Sequence, residues 1–121
     1  PGRLFSVNKA TTESVDDLFA INERYGMQCD TPQGAMAVIM VGAMIVAGIR
    51  PAWQDDVFPP RKFDKHKFEP PKPFNQGDEL GSFLMGSTAI VLLEKRVDWC
   101  IATDQHVRLG DSLVADQPPK Q

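Results

Sequence analysis

Between residues 24 and 31 the chain alternates. Tyr25, Met27 and Cys29 are separated by Gly26, Gln28 and Asp30, the period of two that a half-buried strand requires. Pro32-Gln33-Gly34 then supplies turn residues. Residues 35–49 run apolar almost without a break, so both faces of this stretch need covering layers. Gly42 permits a tight bend inside it, which predicts two buried strands, 35–41 and 44–49, as the centre of the core. This uncharged run of 15 residues is shorter than the roughly 20 that a membrane-spanning helix needs. Pro51 closes the pair, and Trp53 is expected to pack on the sheet edge. Upstream, residues 4–7 read as a short strand and 8–12 as a turn. Val15, Leu18 and Phe19 fall at helical spacing behind Ser14 as a cap, with Asp16 and Asp17 in the first turn, so one short helix is expected, ending near Asn22.

The second half reads differently. Residues 55–75 carry Pro59, Pro60, Pro70, Pro71 and Pro73, which exclude a helix interior and most central-strand pairing, so this is an extended loop. Residues 89–93 are an apolar strand and 97–101 alternate like another. Residues 107–114 read as a turn and a closing edge strand, and 117–121 as a fraying tail. The sum is a mainly β chain of about seven or eight strands and one short helix, folded as a compact two-layer β-sandwich or half-open barrel, since strands this short need a second layer.

Size and charge narrow the function. The 121 residues suit one domain with a modest core. Thirteen basic against 16 acidic residues give net charge −3, which argues against nucleic acid as a partner. Cys29 and Cys100 sit in β-like runs with no nearby ligand spacing; the expectation is small core residues, with neither a disulfide framework nor a metal site. No signal-peptide pattern opens the chain, and its first residue is Pro1, so a piece of a longer polypeptide or a processed chain is expected.

The candidate chemistry lies in residues 77–88, Gly-Asp-Glu-Leu-Gly-Ser-Phe-Leu-Met-Gly-Ser-Thr, which run directly into the apolar strand 89–93. A small polar tripeptide, Gly86-Ser87-Thr88, between two apolar runs places the Gly86 carbonyl beside the Ser87 hydroxyl. Three further segments matter: residues 1–8 (Pro-Gly-Arg-Leu-Phe-Ser-Val-Asn), Leu18-Phe19-Ala20-Ile21-Asn22-Glu23-Arg24, and the Val41-Gly42-Ala43 run continuing to Ile49. In this order and composition the chain resembles the phosphatidylserine decarboxylases, which are pyruvoyl-dependent enzymes.

The resemblance implies a self-cleaving precursor. The Ser87 hydroxyl attacks the Gly86 carbonyl carbon, the peptide becomes an ester, and β-elimination followed by hydrolysis leaves a pyruvoyl group at position 87. The fragments are 1–86 and 87–121. Glycine at 86 gives the attacking oxygen room, and the candidates to support the oxyanion are Thr88, through its backbone or hydroxyl, and a backbone N–H from a neighbouring strand. The pyruvoyl carbonyl then takes up the electrons left by departing CO2, the cofactor's share of the work. By resemblance the substrate is phosphatidylserine and the product phosphatidylethanolamine.

The resemblance also implies partners. A serine is a weak nucleophile without a base, and the family's activating Asp and His lie upstream of the segment matching Pro1, as do its membrane-associating helices. The missing N-terminal portion, or the subunit made from it, is therefore an expected partner. His66 and His106 fall in no matching motif and read as solvated loop residues; Glu79 reads as structural. Homo-oligomerisation is compatible with the reading. The expected location is peripheral, on the cytoplasmic face of a bacterial inner membrane or on an organelle membrane. The loop adds Arg61, Lys62, Lys65, His66 and Lys67 among Phe58, Phe63, Phe68 and Phe74. It is either a solvated loop whose rings pack back on the body or a patch that meets an anionic membrane surface. The competing function is a non-catalytic β-module, like the lipoyl-type barrels, that binds a lipid or a protein.

Overall fold

A computed structural model of the chain describes residues 2–43, 48–56, 63, 65–84 and 88–115. Its elements are α1 (Lys9–Ser14), α2 (Leu18–Ile21), β1 (Arg24–Thr31), β2 (Gly34–Val41), β3 (Ile49–Pro51), β4 (Gly81–Phe83) and β5 (Thr88–Leu93). β1, β2 and β5 form an antiparallel sheet with β2 in the middle; β3 and β4 form a second, antiparallel pair. The protein is mainly β, as the alternation predicts, and its described strands do not close into a barrel.

β1 occupies the residues the period-two pattern selects, and Pro32-Gln33 is the two-residue loop that folds it onto β2, pairing Thr31 with Gly34. The Thr31 hydroxyl donates to the Gly34 carbonyl at 2.7 Å, and Gly34 takes φ +123°, a conformation that side-chain-bearing residues rarely adopt. A Cβ at this position would also lie 2.7 Å from Glu94 Oε2. That carboxylate is itself engaged, accepting from the Ala35 N–H at 2.8 Å while the Glu94 N–H donates to the Ala35 carbonyl at 2.9 Å. Gly34→Ala should therefore cost about 1–3 kcal/mol, since an alanine forced into positive φ loses more than its gain in chain stiffness returns. Urea unfolding measures this directly.

One face of the three-stranded sheet makes the core. Met27 on β1, Met40 on β2 and Ile49 on β3 are buried together, with Tyr25, Val38, Trp53, Leu80 and Phe83 packed around them. The second pair of strands is the covering layer. Trp53 also gathers the Pro-rich loop: its ring lies 5.4 Å from Phe68 and 5.9 Å from Phe74, both edge-on, and 6.3 Å from Tyr25. Two rings of the loop thus pack back on the body, while Phe63 remains 79% exposed. Phe58, Arg61 and Lys62 lie outside the described residues.

Several expectations need correcting. Two short helices stand where one was expected. The first covers most of the predicted turn: Asn8 caps it, its Oδ1 accepting from the Thr11 N–H at 2.9 Å, and Ser14 ends it instead of starting one. Asp17, at φ +53°, breaks the chain before α2, which does end at Asn22. Residues 4–7 form no strand; an isolated parallel bridge joins Arg3 to Asn22. Five strands are found among the described residues, and the expected strand 44–49 lies outside them except for its end, where β3 begins at Ile49. Residues 97–101 and 107–114 form no ladder beyond the bridge Trp99–Val114, and positive φ at Asp104 (59°) and Gly110 (92°) turns the intervening chain repeatedly. Cys100 consequently sits exposed, its thiol 3.1 Å from the Ser112 carbonyl, and is not a core residue; Cys29 is half-buried.

Candidate active site

The polypeptide crosses between the two sheets twice, through residues 42–48 from β2 to β3 and through residues 84–87 from β4 to β5. The second crossing carries Gly86 and Ser87. Met85, Gly86 and Ser87 lie outside the described residues, and Leu84 and Thr88 stand on either side of them. On one side the Leu84 N–H donates to the Gly48 carbonyl at 3.0 Å, extending the β3–β4 pairing of Ile49 with Phe83. Gly48 is buried, and a Cβ there would come within 2.6 Å of Leu84 Cδ1, so a larger residue would push the exposed Leu84 side chain aside. On the other side Thr88 opens β5, half-buried and opposite Val41, whose side chain is fully buried. Only three residues separate these two anchored ends.

Val41 is held in turn. The Gly42 N–H donates to the Glu23 carbonyl at 2.7 Å, and the Gly42 carbonyl accepts from Asn22 Nδ2 at 3.0 Å. Asn22 is fully buried and uses its whole side-chain amide: Oδ1 accepts from the Phe5 N–H and Nδ2 also donates to the Phe5 carbonyl, both at 2.9 Å. The Arg24 guanidinium closes the knot by donating to the Ala20 and Asn22 carbonyls at the end of α2. The Asn-Glu-Arg triplet thus ties the N-terminal segment and α2 to the β2 end that faces Thr88. The role of this triplet does not follow from the amino-acid pattern. Its signal is a polar residue at the end of a short helix, where the apolar spacing would otherwise continue.

The remaining candidates stand apart from this knot. Asp78 is a turn residue, with Oδ2 accepting from the Asn75 N–H at 2.7 Å. Glu79 is exposed. His66 is exposed and lies edge-on to Phe68 at 4.6 Å, and His106 is exposed in the segment after β5. Among the described residues no three His, Cys, Asp or Glu side chains group as a metal site would require, and no helix is long and apolar enough to cross a membrane.

A small antiparallel β-domain with a Gly-Ser-Thr step at the crossing between its sheets defines the class. Residues 1–115 match the family model for phosphatidylserine decarboxylase. The phosphatidylserine decarboxylase proenzyme of Pseudomonas putida F1 is 46% identical over 95% of this chain and 43% of its own length. The proenzyme of Pseudomonas entomophila L48 is 46% identical over 93% of this chain and 42% of its own length. That of Pseudomonas fluorescens SBW25 is 43% identical over 95% and 43% respectively. The chain belongs to the phosphatidylserine decarboxylase family, and it spans less than half the length of these relatives. No solved structure matches it significantly.

Proposed function

We propose that these residues are part of a phosphatidylserine decarboxylase that makes its own pyruvoyl group from Ser87, converting phosphatidylserine to phosphatidylethanolamine. The observation carrying this reading is the Gly86-Ser87-Thr88 step inside a family match that spans residues 1–115. Ser87 is the nucleophile, Gly86 supplies the carbonyl that is attacked, and Thr88 supports the oxyanion.

The flanks fit such chemistry. A carbonyl attacked by its own neighbour must leave the usual peptide geometry, and the fold has to hold the distortion. Leu84 bonded to Gly48, and Thr88 set in a strand opposite Val41, restrain both ends of the reacting segment. The fully buried Val41 side chain keeps its neighbourhood dry, which strengthens any dipole aimed at a developing charge. Once formed, the pyruvoyl group supplies the electron sink that decarboxylation needs. Activation of Ser87 falls to a base in the part of the relatives that this chain does not match, and none of the described histidines lies in the knot around Val41.

Membrane association belongs to the same proposal, since the substrate is a lipid. Phe63, Lys65 and Lys67 are exposed on the Pro-rich loop, as a peripheral contact with an anionic leaflet requires, on the cytoplasmic face of a bacterial inner membrane or on an organelle membrane.

Intact-mass measurement on the proenzyme-length polypeptide tests the reading. Two species parting between positions 86 and 87, the smaller lacking a free amine at its N-terminus, are expected. One uncut species that still decarboxylates the lipid would refute self-processing, and one uncut species without activity would favour the binding module.

A further inference from the structure

β5 is the outer strand of its sheet, and it lacks the features that usually protect an edge. The Glu94 N–H donates to the Ala35 carbonyl, and the β2–β5 register runs from Met36–Leu93 to Val41–Thr88. Antiparallel alternation then turns the backbone groups of Thr88, Ile90 and Leu92 toward β2 and those of Ala89, Val91 and Leu93 away from it. Among the described residues no strand pairs on that outer side. The strand, Thr-Ala-Ile-Val-Leu-Leu, has no charge and no proline, whereas exposed edges normally carry lysine, proline or a bulge.

Except at its Val41 end, the sheet face turned away from the Met27–Met40 core is also open. Ala37 and Ile39 on β2 and Ile90 on β5 are only half-buried there, and Leu92 is 53% exposed. Beside the edge runs an open groove of about 630 Å³, lined by Val91, Leu92, Leu93, residues 94–98 and Trp99, whose ring is half exposed. An edge, a groove and an apolar face in register are what an incoming strand needs: the edge offers backbone hydrogen bonds and the face offers contacts for alternate side chains.

We propose that the outer edge of β5 is an acceptor for a β-strand from the part of the proenzyme that lies outside this chain. The relatives hold ample polypeptide for it, because the match covers only 43% of their length. The donor is an extended segment with apolar residues at alternate positions, laid along Ala89, Val91 and Leu93, and the polypeptide continuing from it covers Leu92 and Ile39. Docking itself needs only family membership. One consequence rests on the cleavage proposed above: β5 begins directly after Ser87, so the added strand grips fragment 87–121 and retains it after the bond is cut.

Hydrogen exchange read amide by amide tests this. Residues 1–121 are compared with the same residues joined, in natural order, to the remaining part of the Pseudomonas putida proenzyme. The amides of Ile90 and Leu92 face β2 and report that the sheet is folded. Those of Ala89, Val91 and Leu93 should exchange freely in residues 1–121 and slow at least 100-fold in the longer polypeptide. Fast exchange at these three positions in a longer polypeptide with protected Ile90 and Leu92 overturns the proposal. So does protection in residues 1–121 alone that rises with concentration, which would assign the edge to a second copy. Should the joined polypeptide not fold, the remaining part is added as a separate chain, and the absence of slowing at the same three amides counts equally against it. Val91→Pro, which removes an outward N–H and spares the β2 ladder, should lower the melting temperature of the longer polypeptide more than that of residues 1–121. Neither readout depends on cleavage or decarboxylation.

Discussion

Asn22→Ala should destabilise the fold by about 3–5 kcal/mol. The substitution leaves three backbone groups, the Phe5 N–H, the Phe5 carbonyl and the Gly42 carbonyl, without the partner they have now. An orphaned buried group costs about 1–3 kcal/mol; the Gly42 carbonyl is buried and the two Phe5 groups are part-buried, so these two fall at the low end, and a water entering the space recovers some of it. Total stability for a domain of this size is only about 5–15 kcal/mol, so the loss is a large share of it. Asn22→Asp should be at least as damaging. It keeps an acceptor for the Phe5 N–H but sets a carboxylate against two carbonyl oxygens in a site with no exposed surface. Denaturant midpoints at matched slope give both values. A loss under about 1 kcal/mol for both variants would mean that water replaces the side chain at no cost, and the knot would not be what holds Val41 opposite Thr88.

What was legible in the chain was what depends on near neighbours. The β1–β2 hairpin can be read because alternation over residues 25–29 and the Pro-Gln-Gly turn are local, and the structure places both where the pattern puts them. Residues 97–114 misled for the same reason. Val97, Trp99 and Ile101 alternate as well as Tyr25, Met27 and Cys29 do, but alternation makes a strand only when a partner runs alongside, and two positive-φ residues carry this segment away after a single bridge. Cys100 shows the consequence: in a sheet it would have had a covered side, and on a turning segment it has none. The expected helix is shortened from its start: Ser14 ends a separate helix capped by Asn8, and Asp17 at positive φ begins α2, which keeps the expected end at Asn22. The partners of Asn22 could not be read, since Phe5 and Gly42 are 17 and 20 residues away. The Gly-Ser-Thr step was legible only through family resemblance. The residues beside its described flanks, Gly48 bonded to Leu84 and Val41 opposite Thr88, come from a part of the chain about 40 residues earlier, and no pattern in residues 77–93 points to them.

Ser87→Ala in the proenzyme-length polypeptide should abolish cleavage and decarboxylation together, and leave folding intact. Under the proposed mechanism the two losses are linked because one oxygen serves both: without it no ester forms at Gly86, and without the ester there is no elimination to leave a ketone. Ordinary peptide hydrolysis at the same bond is too slow to substitute, since rate enhancements of at least about 10⁶ separate enzyme-promoted reactions from their uncatalysed counterparts. A single uncut band is therefore expected on a denaturing gel, with no product lipid above background. The melting temperature should stay within about 2 °C of the parent, because the change deletes one hydroxyl next to a strand whose β2 pairing begins at Thr88. Asn22→Ala offers the contrast: it should slow cleavage only in proportion to the folded fraction it loses, unless the knot also sets the geometry of the crossing, in which case cleavage falls further than stability does. A Ser87→Ala polypeptide that still parts after Gly86 would show that another group opens the bond, and the nucleophile's role would have to pass from Ser87 to that group.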